Sequence, residues 1–293
     1  MFLAISGFFM ANKDLSTREN RNAFWAHQIP KVYIPALVLG VPWLAIAILG
    51  RENALLSIVS WFCCGMSIFY YIALIIQYYL LLPVIQQVAP PILGGQKILK
   101  LHKQTITTII ITAIISLVCV AIETWVRCIK GVKLPLIIYA GPFPLWILFF
   151  VLGVVISRNN RDYKVLWIVF LLLVGLVLQV FETWYLNSFN GSDGFGQKIS
   201  SFCFSAMMIL LMFSNKTERI FVRSVVVFKF ITWIGSISFG IYLTHCLWIL
   251  VLSRFIQINS WIVAWFVVLA CDIIFVMLLK KVIPVRIAKY LGL

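Results

Sequence analysis

The sequence predicts an all-α polytopic membrane protein, a bundle of about nine transmembrane helices. The chain is 63% hydrophobic and only 11% charged, and its mean hydropathy is +1.05. A soluble globular chain carries about one quarter charged residues. Apolar runs recur along the chain and are separated by short basic segments. These observations exclude a soluble globular enzyme, and the net charge of +15 is better explained by membrane topology than by a nucleic-acid partner.

Each apolar run is predicted to form one helix. The expected runs are 1–12, 33–49, 58–82, 106–126, 135–156, 165–186, 199–213, 231–252 and 261–279, with a polar loop over 13–31. The opening run would reach about 18 Å, short of a roughly 30 Å bilayer core. We therefore expect one membrane-embedded domain over 1–293 that lacks an upstream helix, and ten spans if that helix is restored.

The run over 231–252 contains no charged residue, yet it carries a polar stripe. Gly235, Ser238, Tyr242 and His245 are spaced three, four and three residues apart, so they share one face of a helix. Polar side chains at membrane depth face other helices or a water-filled cavity. The stripe therefore indicates a functional site, or alternatively small residues that allow two helices to approach closely.

The distribution of Lys and Arg predicts the orientation of the chain. Of the 24 basic residues, 18 lie in alternate loops and the C-terminal tail, and 6 lie in the loops between them. The positive-inside rule then places the C-terminus in the cytoplasm. Glu123, Glu182 and His245 fall in the outer half of the membrane. The basic inner loops suit either a phosphorylated donor or anionic lipid.

Two helices are expected to end in similar sequences, Glu123-Thr124-Trp125 and Glu182-Thr183-Trp184. Each places a carboxylate at the outer boundary, where it can bind or deprotonate a hydroxyl group. Glu123 and Glu182 are therefore candidate catalytic residues. Alternatively, each is an interfacial carboxylate beside a tryptophan of the aromatic belt.

The stripe resembles a family signature. Gly235, Ser238, Tyr242, Leu243 and His245 are similar to the Gly-x-x-Ser-Tyr-x-x-Tyr-Leu-x-His helix of the integral-membrane acyltransferase 3 family, with phenylalanine in place of the first tyrosine. His245 is the only histidine within a predicted span and is therefore a candidate catalytic residue, which would orient the substrate or the missing base. Ser238 and Tyr242 are candidate substrate-binding residues, because their hydroxyl groups can donate hydrogen bonds.

Other segments resemble the same family in the same order. The segment from Phe2 to Phe8 contains Ser6 and Gly7 and is similar to the Phe-x-x-x-Ser-Gly-Phe helix, which implies that these two residues bind substrate. The run containing Phe149 resembles the Phe-Phe-x-x-Gly helix. Where the family usually has a pair of arginines that contact the cofactor, this chain has Gln28 and Lys31, so only Lys31 is carried over as a binding residue.

The resemblance implies an O-acyltransferase of the plasma or inner membrane that modifies bacterial cell-surface polysaccharide. The donor would be acetyl-CoA or another acyl-CoA, and the acceptor a glycan or lipid-linked saccharide. In the family, the usual catalytic histidine lies on the first helix, so we expect this isolated chain to have weak activity or none. The alternatives are a polysaccharide or lipid-linked sugar transporter or flippase, and an inactive acyltransferase fragment.

The seven cysteines do not predict a metal site. They lie almost entirely in apolar runs, with no Cys-x-x-Cys pair and no histidine at ligand spacing. No metal is therefore expected, and the sequence does not indicate an oligomeric state.

Overall fold

The computed structural model describes residues 1–50, 53–89, 98–159, 161–189, 197–255 and 260–284, and the regular structure in these ranges is helical. The α-helices are α1 (Phe2–Met10), α2 (Arg18–Leu49), α3 (Ala54–Phe62), α4 (Tyr70–Val88), α5 (Ile98–Thr124), α6 (Leu136–Ala140), α7 (Phe143–Arg158), α8 (Val165–Asn187), α9 (Ile199–Met212), α10 (Asn215–Arg223), α11 (Val225–Phe255) and α12 (Trp261–Val282). A 3₁₀ turn spans Ser67–Phe69, and a π-helical turn spans Trp125–Ile129. The predicted all-α class is confirmed.

Six helices in the described ranges are long and apolar enough to cross a membrane. They are Arg18–Leu49, Tyr70–Val88, Lys103–Ile129, Val165–Asn187, Val225–Phe255 and Ile262–Val282. The number becomes seven if α9 and α10, which are bent by 57° at their junction, form one span. The chain is therefore a multi-pass membrane protein, but nine spans are not confirmed.

Two of the predicted spans are interrupted. The run 58–82 contains a turn that ends α3, where Cys64 has a φ of 52° and the Gly65 amide donates to the Ser60 carbonyl oxygen at 2.6 Å. The run 135–156 breaks between α6 and α7, because Pro142 precedes α7 in an extended conformation. Since α7 has only 16 residues, it is shorter than the roughly 20 residues that a typical span requires.

The expected polar loop over 13–31 is wrong beyond residue 17. The Thr17 hydroxyl accepts the Asn20 amide at 3.1 Å and caps the N-terminus of α2. Helix α2 then continues as far as Leu49 through three prolines. Lys31 therefore lies within a helix.

The chain forms two compact units. Unit 1 comprises Met1–Arg21 and Leu80–Arg223, and unit 2 comprises Asn22–Tyr79 and Ser224–Leu293. Each is described by itself.

In unit 1, the central helix is α7, which is buried along most of its length. Helix α1 packs against it through two glycines. A β carbon on Gly7 would lie 2.2 Å from the Phe150 carbonyl oxygen, and one on Gly153 would lie 2.0 Å from the Ala4 carbonyl oxygen. Only glycine permits the two backbones to approach this closely.

In unit 2, a core cluster joins α2, the α3–α4 turn, α4 and α11. It consists of Ala36, Cys64, Phe69, Ile72 and Leu243. The apolar face of α11 that carries Leu243 is therefore fixed against the other helices of this unit, and this contact sets the direction in which the neighbouring stripe residues point.

Candidate active site

The stripe on α11 contains two differently packed halves. In the half nearer the C-terminus, the Tyr242 hydroxyl donates to the Ile68 carbonyl oxygen. The Tyr242 ring meets the Tyr71 ring edge to face, with 5.6 Å between centroids. Tyr242 is thus held on both its polar and apolar parts, which fixes the helix turn that carries His245.

The other half of the stripe is open within unit 2. Apart from the backbone of its own helix, no atom of the described residues lies within 4 Å of a β carbon built on Gly235. The Ser238 hydroxyl donates to the Gly235 carbonyl oxygen at 2.8 Å, within its own helix. Close helix approach therefore does not explain Gly235 in this unit, and no contact within the unit assigns Ser238 a role in binding.

His245 is held by one edge of its ring. Its Nδ1 atom lies 2.8 Å from the Tyr242 carbonyl oxygen and 3.3 Å from the Ile241 carbonyl oxygen. Because a carbonyl oxygen only accepts hydrogen bonds, Nδ1 carries the proton in this arrangement. In the neutral ring, Nε2 then has a lone pair, and it makes no hydrogen bond to the described part of the chain. That nitrogen can accept a proton.

A buried acid lies beside this histidine. The Thr244 hydroxyl donates to Oδ1 of Asp272 on α12 at 2.6 Å, and both residues are only 1% exposed. The second carboxyl oxygen of Asp272 has no hydrogen-bond partner among the described residues. Through its hydrogen bond with Thr244, Asp272 lies beside the turn of α11 that carries His245.

Asp272 was not predicted as a site residue, although the sequence contains a signal for it. It is the only acidic residue in the apolar run 261–279. An ionisable residue within a membrane span is itself an indication of a functional site.

The two predicted carboxylates both lie in unit 1, where each already has partners. Glu123 is buried at the end of α5 and forms a 2.6 Å ion pair with Arg127. The Arg127 guanidinium lies 3.9 Å from the centroid of the Tyr139 ring. This ion pair and cation–π contact stabilise the π-helical turn that follows α5.

Glu182 binds the N-terminus of α9. It accepts the Ile199 amide at 3.2 Å and the Ser200 amide at 2.9 Å, and also the Ser200 hydroxyl. The carboxylate therefore satisfies amides that α9 leaves without intrahelical partners. Glu123 and Glu182 thus bind different partners, namely Arg127 and the N-terminus of α9.

The remaining predicted site residues are distributed over both units. Gly7 packs against α7, and the half-buried Ser6 beside it makes no hydrogen bond to the described residues. Lys31 is half-buried on α2 in unit 2 and has no ion pair with the described residues. The structure thus brings His245 together with Tyr242, Thr244 and Asp272, whereas Ser6, Gly7, Glu123 and Glu182 belong to the other unit. Among the described residues, no three His, Cys, Asp or Glu side chains are grouped to hold a metal ion.

A family model described as an acyltransferase domain matches residues 1–281. The chain belongs to the acyltransferase 3 family. The resemblance found in the sequence is therefore confirmed. The helices that are long and apolar enough to cross a membrane agree with a membrane acyltransferase family. No match was found among curated proteins or among solved structures.

Proposed function

We propose that this acyltransferase moves an acetyl group from a cytoplasmic acyl-CoA to a hydroxyl group of an extracytoplasmic glycan or lipid-linked saccharide. Family membership supports the acyl-transfer chemistry. The uneven distribution of basic residues supports a cytoplasmic C-terminus and an outward-facing His245. In this proposal the acetyl group crosses the bilayer in which the helices are embedded.

The protonation geometry of His245 carries the proposal. Its Nδ1–H group is held by the Tyr242 carbonyl oxygen at 2.8 Å, which leaves the Nε2 lone pair for the acceptor hydroxyl. As Nε2 takes the hydroxyl proton, the hydroxyl oxygen forms a bond to the thioester carbonyl carbon. The carbon–sulfur bond breaks, and the leaving thiolate takes the proton from Nε2. Asp272 stabilises the imidazolium that exists between the two proton transfers.

Glu123 and Glu182 stay candidate catalytic residues, which would bind or deprotonate the acceptor hydroxyl. Each carboxylate has a structural partner, Arg127 or the N-terminus of α9. A substitution that preserves this packing but removes the charge is therefore needed to separate the two roles.

The test is a chromosomal His245→Gln substitution at the native locus in the source organism. Ser236→Ala on the same helix is the matched control, because Ser236 is exposed, lies outside the stripe and donates its hydroxyl only to the Trp233 carbonyl oxygen of its own helix. Ester-linked acetate on surface glycans is measured after mild alkaline release, and protein abundance is measured by immunoblot. We expect ester-linked acetate to fall at least about tenfold in the His245 variant, since general-base catalysis contributes about 10²–10⁴-fold, and to be unchanged in the control.

Two outcomes would contradict the proposal. Unchanged acetate in the His245→Gln strain at normal protein abundance would remove the histidine from the chemistry. If deletion of the locus lowered the amount of surface glycan and left its acetate content per sugar unchanged, the chain would be a transporter and not an acyltransferase.

Orientation has a separate test. Alkaline phosphatase, which is active only outside the cytoplasm, is fused after Leu293. The proposal expects no phosphatase activity from this fusion, and activity would reverse the assignment of sides.

A further inference from the structure

An arginine-rich cavity lies in unit 1, outside the site described above. It has a volume of about 550 Å³, and its lining consists of Arg161, Asn215, Glu218, Arg219, Val222 and Arg223. We call it the arginine pocket. A volume of this size lies within the range of about 300–1,000 Å³ that is typical of small-molecule sites.

The fold holds the two sides of the arginine pocket together. The segment between α7 and α8 contributes Arg161, and α10 contributes the other lining residues. The Asn215 amide donates to the Arg161 carbonyl oxygen at 3.2 Å, and the Asn215 side chain donates to Asp162 at 2.8 Å. The pocket is therefore built between segments that are distant in sequence and joined by hydrogen bonds.

The Arg161 guanidinium has a defined position. It forms a 3.0 Å ion pair with Glu218, and it lies 5.7 Å from the centroid of the Phe8 ring. These contacts hold the planar donor group at the pocket while leaving it partly exposed. Among the described residues that line the pocket, Glu218 is the only one with a carboxylate.

The other two arginines have no ion-pair partner among the described residues. Arg219 and Arg223 are both exposed on α10 and are four residues apart. Like charges at this spacing destabilise a helix slightly, and an anion bound by both guanidiniums would offset that cost. Membrane topology accounts for basic residues on the side that the sequence predicts to be cytoplasmic, but it does not account for three guanidiniums around one concavity.

We propose that the arginine pocket binds phosphate groups. Guanidinium groups present paired N–H donors that match phosphate oxygens, and three of them can neutralise a polyphosphate. Two sources supply this chemistry at a membrane surface, namely the nucleotide end of an acyl-CoA and the headgroup of an anionic phospholipid. The first source makes the pocket the donor subsite and therefore rests on the proposed function, whereas the second does not.

The test uses the full chain purified in an uncharged detergent, with Arg219→Ala/Arg223→Ala as the test variant. Lys216→Ala is the matched control, because Lys216 is an exposed cation on the same helix that does not line the pocket. Coenzyme A binding is measured by calorimetry. In a second arm, thermal unfolding is compared in nanodiscs of phosphatidylglycerol and of phosphatidylcholine. Size-exclusion chromatography verifies that each variant is folded.

We expect the double substitution to weaken coenzyme A binding about tenfold. Two partly exposed ion pairs between an arginine and a phosphate group together contribute about that factor. The control is expected to change coenzyme A binding by less than about twofold. Glu218→Gln is expected to strengthen binding, because it removes the only carboxylate among the described lining residues and releases Arg161.

If the double variant binds coenzyme A more weakly but keeps its stabilisation by phosphatidylglycerol, the pocket is supported with the nucleotide as the source of phosphate. If it loses the stabilisation by phosphatidylglycerol but binds coenzyme A normally, the pocket is supported with lipid as the source. If neither measurement differs between the double variant and the Lys216 control, the proposal is overturned. Since both arms measure binding without turnover, loss of glycan acetylation in the His245 strain neither supports nor contradicts the pocket.

Discussion

Replacing Gly153 with alanine is expected to push α1 away from α7. A β carbon at this position would lie 2.0 Å from the Ala4 carbonyl oxygen, 2.8 Å from its carbonyl carbon and 2.9 Å from its Cα atom. Non-bonded carbon atoms are optimally about 3.5–4.0 Å apart, so α1 must retreat by about 1 Å. All three contacts are with backbone atoms, and hence no side-chain rotation can relieve them.

The expected cost is about 2–3 kcal/mol, the upper part of the range for overpacked sites, because a whole helix moves. Gly235→Ala provides a control with the same chemical change. Its β carbon meets no atom of the described residues outside its own helix within 4 Å, so alanine there is expected to stabilise the helix by about 0.5–1 kcal/mol through its higher helix propensity. The assay is thermal unfolding in detergent, followed by tryptophan fluorescence.

The two variants should therefore move the melting temperature in opposite directions. If Gly153→Ala unfolds at the wild-type temperature, α1 and α7 do not pack through these glycines. The same conclusion follows if the Gly153 and Gly235 variants behave alike.

Three other substitutions test individual contacts. Thr244→Val removes the hydrogen-bond donor to Asp272 and should cost about 1–3 kcal/mol of stability, whereas Thr244→Ser keeps the hydroxyl and should cost less. Equal unfolding temperatures for the valine and serine variants would refute the buried contact. Glu182→Ala should lower the unfolding temperature by removing a helix cap worth about 1 kcal/mol, whereas Glu182→Gln keeps an acceptor oxygen and should lower it less; loss of glycan acetylation in the glutamine variant would assign the charge a catalytic role. Hydrogen bonds from the Ser16 amide and hydroxyl, and then from Asn20, hold the pKa of Asp14 below its ordinary value. The stabilisation of the fold by ionised Asp14 is therefore present above the unfolded-state pKa and is lost as the pH falls through the lower folded-state pKa. Asp14→Asn should reduce the fall in unfolding temperature on acidification, and an unchanged pH profile of the unfolding temperature would contradict this.

Hydropathy located the uninterrupted spans accurately. The run 165–186 corresponds to α8 at Val165–Asn187, because nothing in that run breaks a helix. It failed where a turn is itself apolar. The turn at Cys64 contains no charged residue, so hydropathy showed one continuous run where the structure has two helices separated by a turn.

The polar first part of α2 was not predicted, because its residues are charged and the prediction depended on apolar runs. Residues 18–31 were expected to be a loop because they are charged, yet they form the beginning of α2. Helix propensity is high for arginine, glutamate and alanine, and the Thr17 cap marks the start. A prediction that depends on apolar runs detects neither the helix propensity of these residues nor the Thr17 cap.

Periodicity predicted part of the candidate site. It placed Tyr242 and His245 on one face, and their ring centroids are 6.0 Å apart. Periodicity alone does not say which part of a face is covered, and Gly235 is open within unit 2. The contact of Thr244 with Asp272 joins two helices, so it depends on their register and not on local spacing. The arginine pocket likewise depends on hydrogen bonds between distant segments.

The Thr244–Asp272 pair has a consequence for biogenesis. Asp272 lies near the middle of the 22-residue α12, and a central aspartate opposes insertion of an isolated helix by about 2.5–3.5 kcal/mol. The Thr244 hydroxyl lowers this penalty only if α11 is already beside the nascent segment. The translocon should therefore release α11 and α12 into lipid together, and truncating the nascent chain before Asp272 should change how long α11 stays in the lateral gate.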